Sequence, residues 1–202
     1  MMLSLLLAAI VAVFESVPQT APFHTDMSPS GTILAEHFWL EDVPRRLIGR
    51  QQIWLRAADG QGQPTLLFEH QRIAEVLFSP DERWIAINDA PVSDLADVRL
   101  FRRVDALKYQ EADRSQPGKK CLALLDRISR RAVSPVLDHT YINTVRWSSD
   151  SRAFLLVVRG HTSNRNDIVV RDWLCVFNLE TLQASTDLHL MNRGAVYDRR
   201  NP

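Results

Sequence analysis

One pattern recurs three times in this chain and limits what it can fold into: an apolar stretch, a short serine-containing polar turn, and a second apolar stretch. The copies read Thr25-Asp26-Met27-Ser28-Pro29-Ser30-Gly31-Thr32-Ile33-Leu34-Ala35, Val76-Leu77-Phe78-Ser79-Pro80-Asp81-Glu82-Arg83-Trp84-Ile85-Ala86 and Val145-Arg146-Trp147-Ser148-Ser149-Asp150-Ser151-Arg152-Ala153-Phe154-Leu155. Proline presets φ for the first turn position, and Asp, Ser or Gly closes the turn through local hydrogen bonds or tolerance of positive φ. The β-branched and aromatic residues on either side fit a pleated, half-buried surface. Each copy therefore predicts a β-hairpin.

A second strand pair is expected after each hairpin. In the first copy Gln52–Arg56 leads to a turn at Asp59–Gly62, and Pro64–Phe68 returns. In the second, Cys121–Asp126 turns at Ile128–Arg131 and Ala132–Leu137 returns. In the third, Trp173–Asn178 turns at Leu179–Leu182 and Gln183–Ser185 returns. Each unit reads as a four-stranded antiparallel meander. Trp84 and Trp147, beside equivalent turns, are expected to be buried.

The combination of an apolar strand, a Ser-Pro-Asp-Gly-like turn, another apolar strand, and an Ile53-Trp54-Leu55 type strand with a polar turn resembles the blades of TolB-like and WD-repeat-like β-propellers. The resemblance spans most of residues 23 to 186. It is closest at Ser79-Pro80-Asp81; Ser149 replaces proline in the third copy, and no Gly-His to Trp-Asp pairing occurs. It implies an all-β fold of antiparallel four-stranded meanders. Propellers close with about 4 to 8 blades, whereas this chain offers three units, so an open or incomplete propeller is expected. An open arc, a ring completed by a second copy of the chain, a β-sandwich built from such hairpins, and a piece of a longer ancestor all fit. An open arc leaves strand edges to be covered, and residues 98 to 109 could serve as an extra strand or short helix there.

The apolar run from Leu3 to Phe14 reads as the hydrophobic part of an export signal. A transmembrane helix needs about 20 apolar residues, and Glu15 interrupts this run first. The alternative is a buried first strand or helix. The expected organisation is a signal-like segment over 1–22, a repeat domain over 23–190 and a tail over 191–202, with the processed protein periplasmic or secreted and not membrane-spanning. Cys121 and Cys175 are too few for a disulfide scaffold. They are either two small buried hydrophobes or one bridge. Lys plus Arg and Asp plus Glu balance at 24 each, so no net field favours nucleic acid as a partner.

No nucleophile elbow, phosphate loop, zinc-protease helix or dinucleotide fingerprint is present. His24, His37, His70, His139, His161 and His189 are scattered singly along the chain, so no catalytic, cofactor or metal residue is assigned. Asp81 and Asp150 read as turn caps, not calcium ligands, because neither turn carries a dense acidic loop. The longest polar segments fall between the second and third strands of each unit, at 41–51, 88–120 and 160–167. In a meander these leave the same end of the sheet, and loops on a rigid scaffold gather binding residues.

That face would present Trp39, Arg45, Arg46, Arg50, His161, Asn164 and Arg165, together with Phe38, Lys119 and Lys120. Glu82 and Glu180, at the opposite end, should be inert. The functional expectation is a non-enzymatic binding protein of the cell envelope that takes a protein or envelope component, or another copy of itself, on this face. The alternatives are a periplasmic hydrolase whose site joins His161 with Asp97 or Asp167 and a serine, and a degenerate structural remnant of a longer propeller.

Overall fold

Short runs rich in β-branched and aromatic residues, bounded by turns, form strands along most of the chain, and a computed structural model describes residues 16–40, 49–112, 114–130, 132–163 and 169–192. Strands β1 (His24–Met27), β2 (Ile33–Trp39), β3 (Gln51–Ala57) and β4 (Thr65–His70) form a four-stranded antiparallel sheet in chain order. The second unit comprises β5 (Ile73–Phe78), β6 (Trp84–Val92), β7 (Leu95–Arg103) and the short β8 (Tyr109–Glu111). The third comprises β9 (His139–Trp147), β10 (Ala153–His161), β11 (Val169–Asn178) and β12 (Gln183–Ser185). Each unit is an antiparallel meander. The second and third join into one larger sheet through a two-residue parallel pairing, Leu95 with Thr140 and Ala96 with Tyr141. Among the described residues the architecture is open and all-β apart from one α-helix and two short 3-10 turns.

The three hairpins share one atomic plan. Ser28, Ser79 and Ser148 are each buried. Their Oγ atoms accept hydrogen bonds from the backbone N–H five residues on, Ile33 at 3.1 Å, Trp84 at 3.0 Å and Ala153 at 2.9 Å. In the second and third copies the Ser hydroxyl donates to the turn aspartate, Asp81 or Asp150, at 2.7 Å. Each of these carboxylates also accepts the N–H two residues later, so both aspartates are turn caps. The fourth turn residue is left-handed in every copy: Gly31 at φ 74°, Glu82 at φ 56° and Ser151 at φ 60°.

Glycine suits that conformation, whereas an L side chain is strained there by roughly 1–2 kcal/mol. Glu82 and Ser151 compensate by reaching back to the preceding unit. The Glu82 carboxylate accepts the Ser30 N–H at 2.7 Å, and Ser151 Oγ accepts the Asp81 N–H at 2.9 Å. Glu82 is therefore a connector rather than an inert turn residue. Gly31 occupies the same place in the first unit, where no earlier described hairpin is available to bond.

The second unit is packed on both faces, following the two-residue period of a strand. Ile85, Ile87 and Phe101 pack with Ile33, Ala35, Ile53 and Leu55 of the first sheet. Ala86, Val98 and Leu100 pack with Ile142, Phe154, Leu156 and Phe177 of the third unit. Asn88 splices β6 to β9: its amide donates to the Thr144 carbonyl at 3.0 Å, and its carbonyl accepts the Thr144 N–H at 2.7 Å.

Several sequence expectations are corrected. Cys121–Asp126 is not a strand but lies within helix α1 (Pro117–Ser129), and a 3-10 turn at Ser134–Val136 replaces the expected return strand. Proline occupies the first helical turn, where its missing N–H costs nothing. Buried Cys121, Leu124 and Leu125 follow helical spacing. Residues 98–103 belong to β7, the third strand of the second unit, and do not cover an edge. Cys121 and Cys175 form a disulfide joining α1 to β11. Trp84 and Trp147 are only partly buried, because Trp84 lies under the Arg102 guanidinium and Trp147 points its Nε1–H at the Leu77 carbonyl, 3.0 Å away.

Residues 1–15 of the signal-like segment and 193–202 of the tail lie outside the described residues. Among the described residues no helix is long and apolar enough to cross a membrane.

Candidate binding site at the loop end of the sheets

With the three serine turns tied together at one end, antiparallel pairing carries every second-to-third connection to the other, here called the loop end. Trp39 closes β2, Arg50 precedes β3, and His161 closes β10. All three stand at this end, on the first and third units. Arg45, Arg46, Asn164 and Arg165 lie outside the described residues. Arg50 already has its charge matched by Glu69, at 2.8 Å. Phe38 is buried, because it points to the opposite face of β2 from Trp39. In the second unit the connection is a tight turn at Ser93 and Asp94, so Lys119 and Lys120 do not belong to it. They lie on α1, where Lys120 donates to the Leu182 carbonyl at 2.6 Å.

Along β2, the row facing the second unit runs Ile33, Ala35, His37, Trp39. The first two enter the apolar core and the last two do not. The interface between the first sheet and the second unit thus changes chemistry towards the loop end. His24 and His37 are direct partners across β1 and β2, and Asp26 shares the face of His24 because successive strand residues alternate. The Asp26 carboxylate takes hydrogen bonds from both imidazoles, 3.0 Å to His24 Nε2 and 3.0 Å to His37 Nε2. Burial pushes the Asp26 carboxyl up, but these two bonds outweigh it and hold the group below its ordinary value.

His70 stands behind this trio, its ring 6.4 Å from that of His37 and nearly perpendicular to it. It is 5% exposed, and neither ring nitrogen has a hydrogen-bond partner among the described residues. Burial, with a smaller contribution from His37, lowers its pKa to about 4. A cavity of about 220 Å³ opens beside the trio, lined by Phe23, His24, His37, Trp39, Gln51 and Arg72 among others. Phe23 packs on Trp39 with ring centroids 5.2 Å apart. Arg72 Nε is buried without a partner among the described residues.

The third unit carries a second histidine pair at the same end. His139 and His161 are opposite each other on β9 and β10, with rings stacked 4.2 Å apart. The neighbouring Tyr141 hydroxyl donates to the Ser93 carbonyl at 2.9 Å, tying this corner to the second unit.

Histidines that are single in sequence therefore come together in space, five of the six in two groups. The signal that could have found the first group is His24-x-Asp26 on a strand, whose period places both side chains on one face. His161 is not joined to Asp97, which packs against α1: a Cβ at Gly118 would meet the Asp97 carboxylate at 1.8 Å. Asp167 lies outside the described residues. A comparison of the chain with known protein families finds no match, and neither does a comparison with curated proteins.

Proposed function

We propose that this protein is an exported, non-enzymatic binding protein of the cell envelope that holds a protein or envelope component against the loop end of its sheets. The observation that carries the reading is the contrast between the two ends. The serine turns use their polar groups on one another, whereas the loop end offers an aromatic pair, a cavity and the buried His70 imidazole, whose nitrogens have no partner among the described residues. Binding residues concentrate on such connections, held by a rigid scaffold.

The disulfide supports export, since such bonds persist in oxidising compartments. We read the three meanders as TolB-like or WD-repeat-like blades in an open arc. The repeated turn plan and the turn-to-turn bonds support that kinship, and an arc of this kind also admits a second copy as partner.

The test is capture from an envelope extract by the tagged protein and its variants. Replacing Arg45 and Arg46 together with Ala, or Arg165 with Ala, should weaken capture of the same partner. Stability should change by less than about 0.5 kcal/mol, the usual scale for substitutions in connections. Glu180→Ala, in an exposed turn at the opposite end, should leave capture intact. Loss of capture on Glu180→Ala with retention in the arginine variants overturns the loop-end reading.

A further inference from the structure

We infer that His24, Asp26 and His37 form a binding site for a divalent transition metal of the zinc class, independent of whether a partner docks on the loop end. The three ligand atoms all lie within 4.8 Å of one another. Zinc binds imidazole nitrogen and carboxylate oxygen at about 2.0–2.2 Å, which places tetrahedral ligand atoms roughly 3.3 Å apart. Asp26 Oδ1 stands 3.0 Å from His24 Nε2 and Asp26 Oδ2 stands 3.0 Å from His37 Nε2, so the carboxylate faces both imidazoles at close to ligand spacing.

The donor set selects the metal. Two imidazoles and one carboxylate suit zinc, nickel or copper, whereas calcium and magnesium require more oxygen ligands than this site offers. Three protein ligands leave a coordination position for water or an external ligand, and His24 and His37 both line the cavity.

The surroundings point the same way. Arg72 brings a guanidinium Nε without a partner among the described residues to the same cavity, suited to an anionic group bound at the metal. His70, nine-tenths buried and unpartnered behind His37, is a polar ring that packing alone does not explain.

The experiment is calorimetric titration of the tag-free full chain with zinc chloride at pH 7.5, with cobalt(II) absorption as a second readout. The wild type should take up one zinc at the trio. His24→Ala and Asp26→Asn should each weaken that binding at least tenfold. Both positions are outside the core, so circular dichroism should show them folded. His189→Ala, an exposed histidine on the third unit's far 3-10 turn, should bind as the wild type does. No heat and no cobalt spectrum at millimolar metal overturns the inference. So does unchanged affinity in His24→Ala, or binding lost only when His139 or His161 is replaced.

Discussion

The two ends of the molecule use polar residues in opposite ways. At the turn end, three buried serines, two aspartates and the connectors Glu82 and Ser151 satisfy one another, within a hairpin and from each hairpin to its neighbour. At the loop end, His70 and Arg72 hold buried nitrogens with no partner among the described residues, and the His24–Asp26–His37 group opens on a cavity. Satisfied buried polar groups stabilise a fold modestly, while unsatisfied ones cost about 1–3 kcal/mol each. The turn end is thus built for stability. The loop end gives some stability up, which is the usual mark of a surface selected for something else.

Three perturbations sharpen that contrast. The largest expected effect comes from the disulfide, whose cysteines lie 54 residues apart. Loop-closure entropy for that separation gives about 4 kcal/mol. Reduction, or Cys175→Ser, should lower denaturant stability by that order and loosen α1 and the third unit. Hydrogen exchange in the first sheet should change much less. Equal loss of protection in all three units would show that they do not differ in this way.

The second effect lies at the loop end and depends on pH. His70 has a folded pKa of about 4, below the ordinary 6.5, so as pH falls the unfolded chain takes up the proton first. The stability linked to this group is fully present above pH 6.5 and is lost as pH falls towards 4, on the order of 3 kcal/mol in all. His70→Leu should remove most of that acid loss and match or exceed the wild type at pH 7. Denaturant melts at pH 7 and pH 4.5 check this, and an unchanged pH slope in the variant would mean that His70 is not a cost.

The third effect is at the turn end. Ser148→Ala removes, at a fully buried position, a hydroxyl that serves the Ala153 N–H and the half-buried Asp150 carboxylate. Thermal or urea unfolding should show a loss of about 2 kcal/mol. Ser79→Ala should behave alike, and so should Ser28→Ala, whose side chain bonds the Glu82 carboxylate in place of a turn aspartate. A neutral Ser148→Ala would break the contrast from its other side.

What could be read from the sequence and what could not divides along physical range. The Ser79-Pro80-Asp81 turn and its two relatives were legible because the bonds that make them close within five residues, from a serine Oγ to the N–H of residue i+5. The β3, β4, β11 and β12 strands were legible as short runs on either side of a polar turn. Helix α1 was misread because Cys121–Asp126 is a short apolar run in which strand and helix periods cannot be separated without the flanking Pro117. Trp84 and Trp147 were expected to be buried on the strength of their place in the repeat. Their actual environment is set by Arg102 and the Leu77 carbonyl, which the hairpin itself does not contain.

The sequence by itself determined the repeated hairpins and the all-β class, because turn chemistry and strand propensity are local. Only the tertiary structure decided that Glu82 and Ser151 bridge successive units, that Cys121 meets Cys175, and that His24, Asp26 and His37 converge beside His70. Each of these depends on which strands pair and which faces meet. Those choices are made by burial of whole sheets against one another, and no window of the chain contains that information.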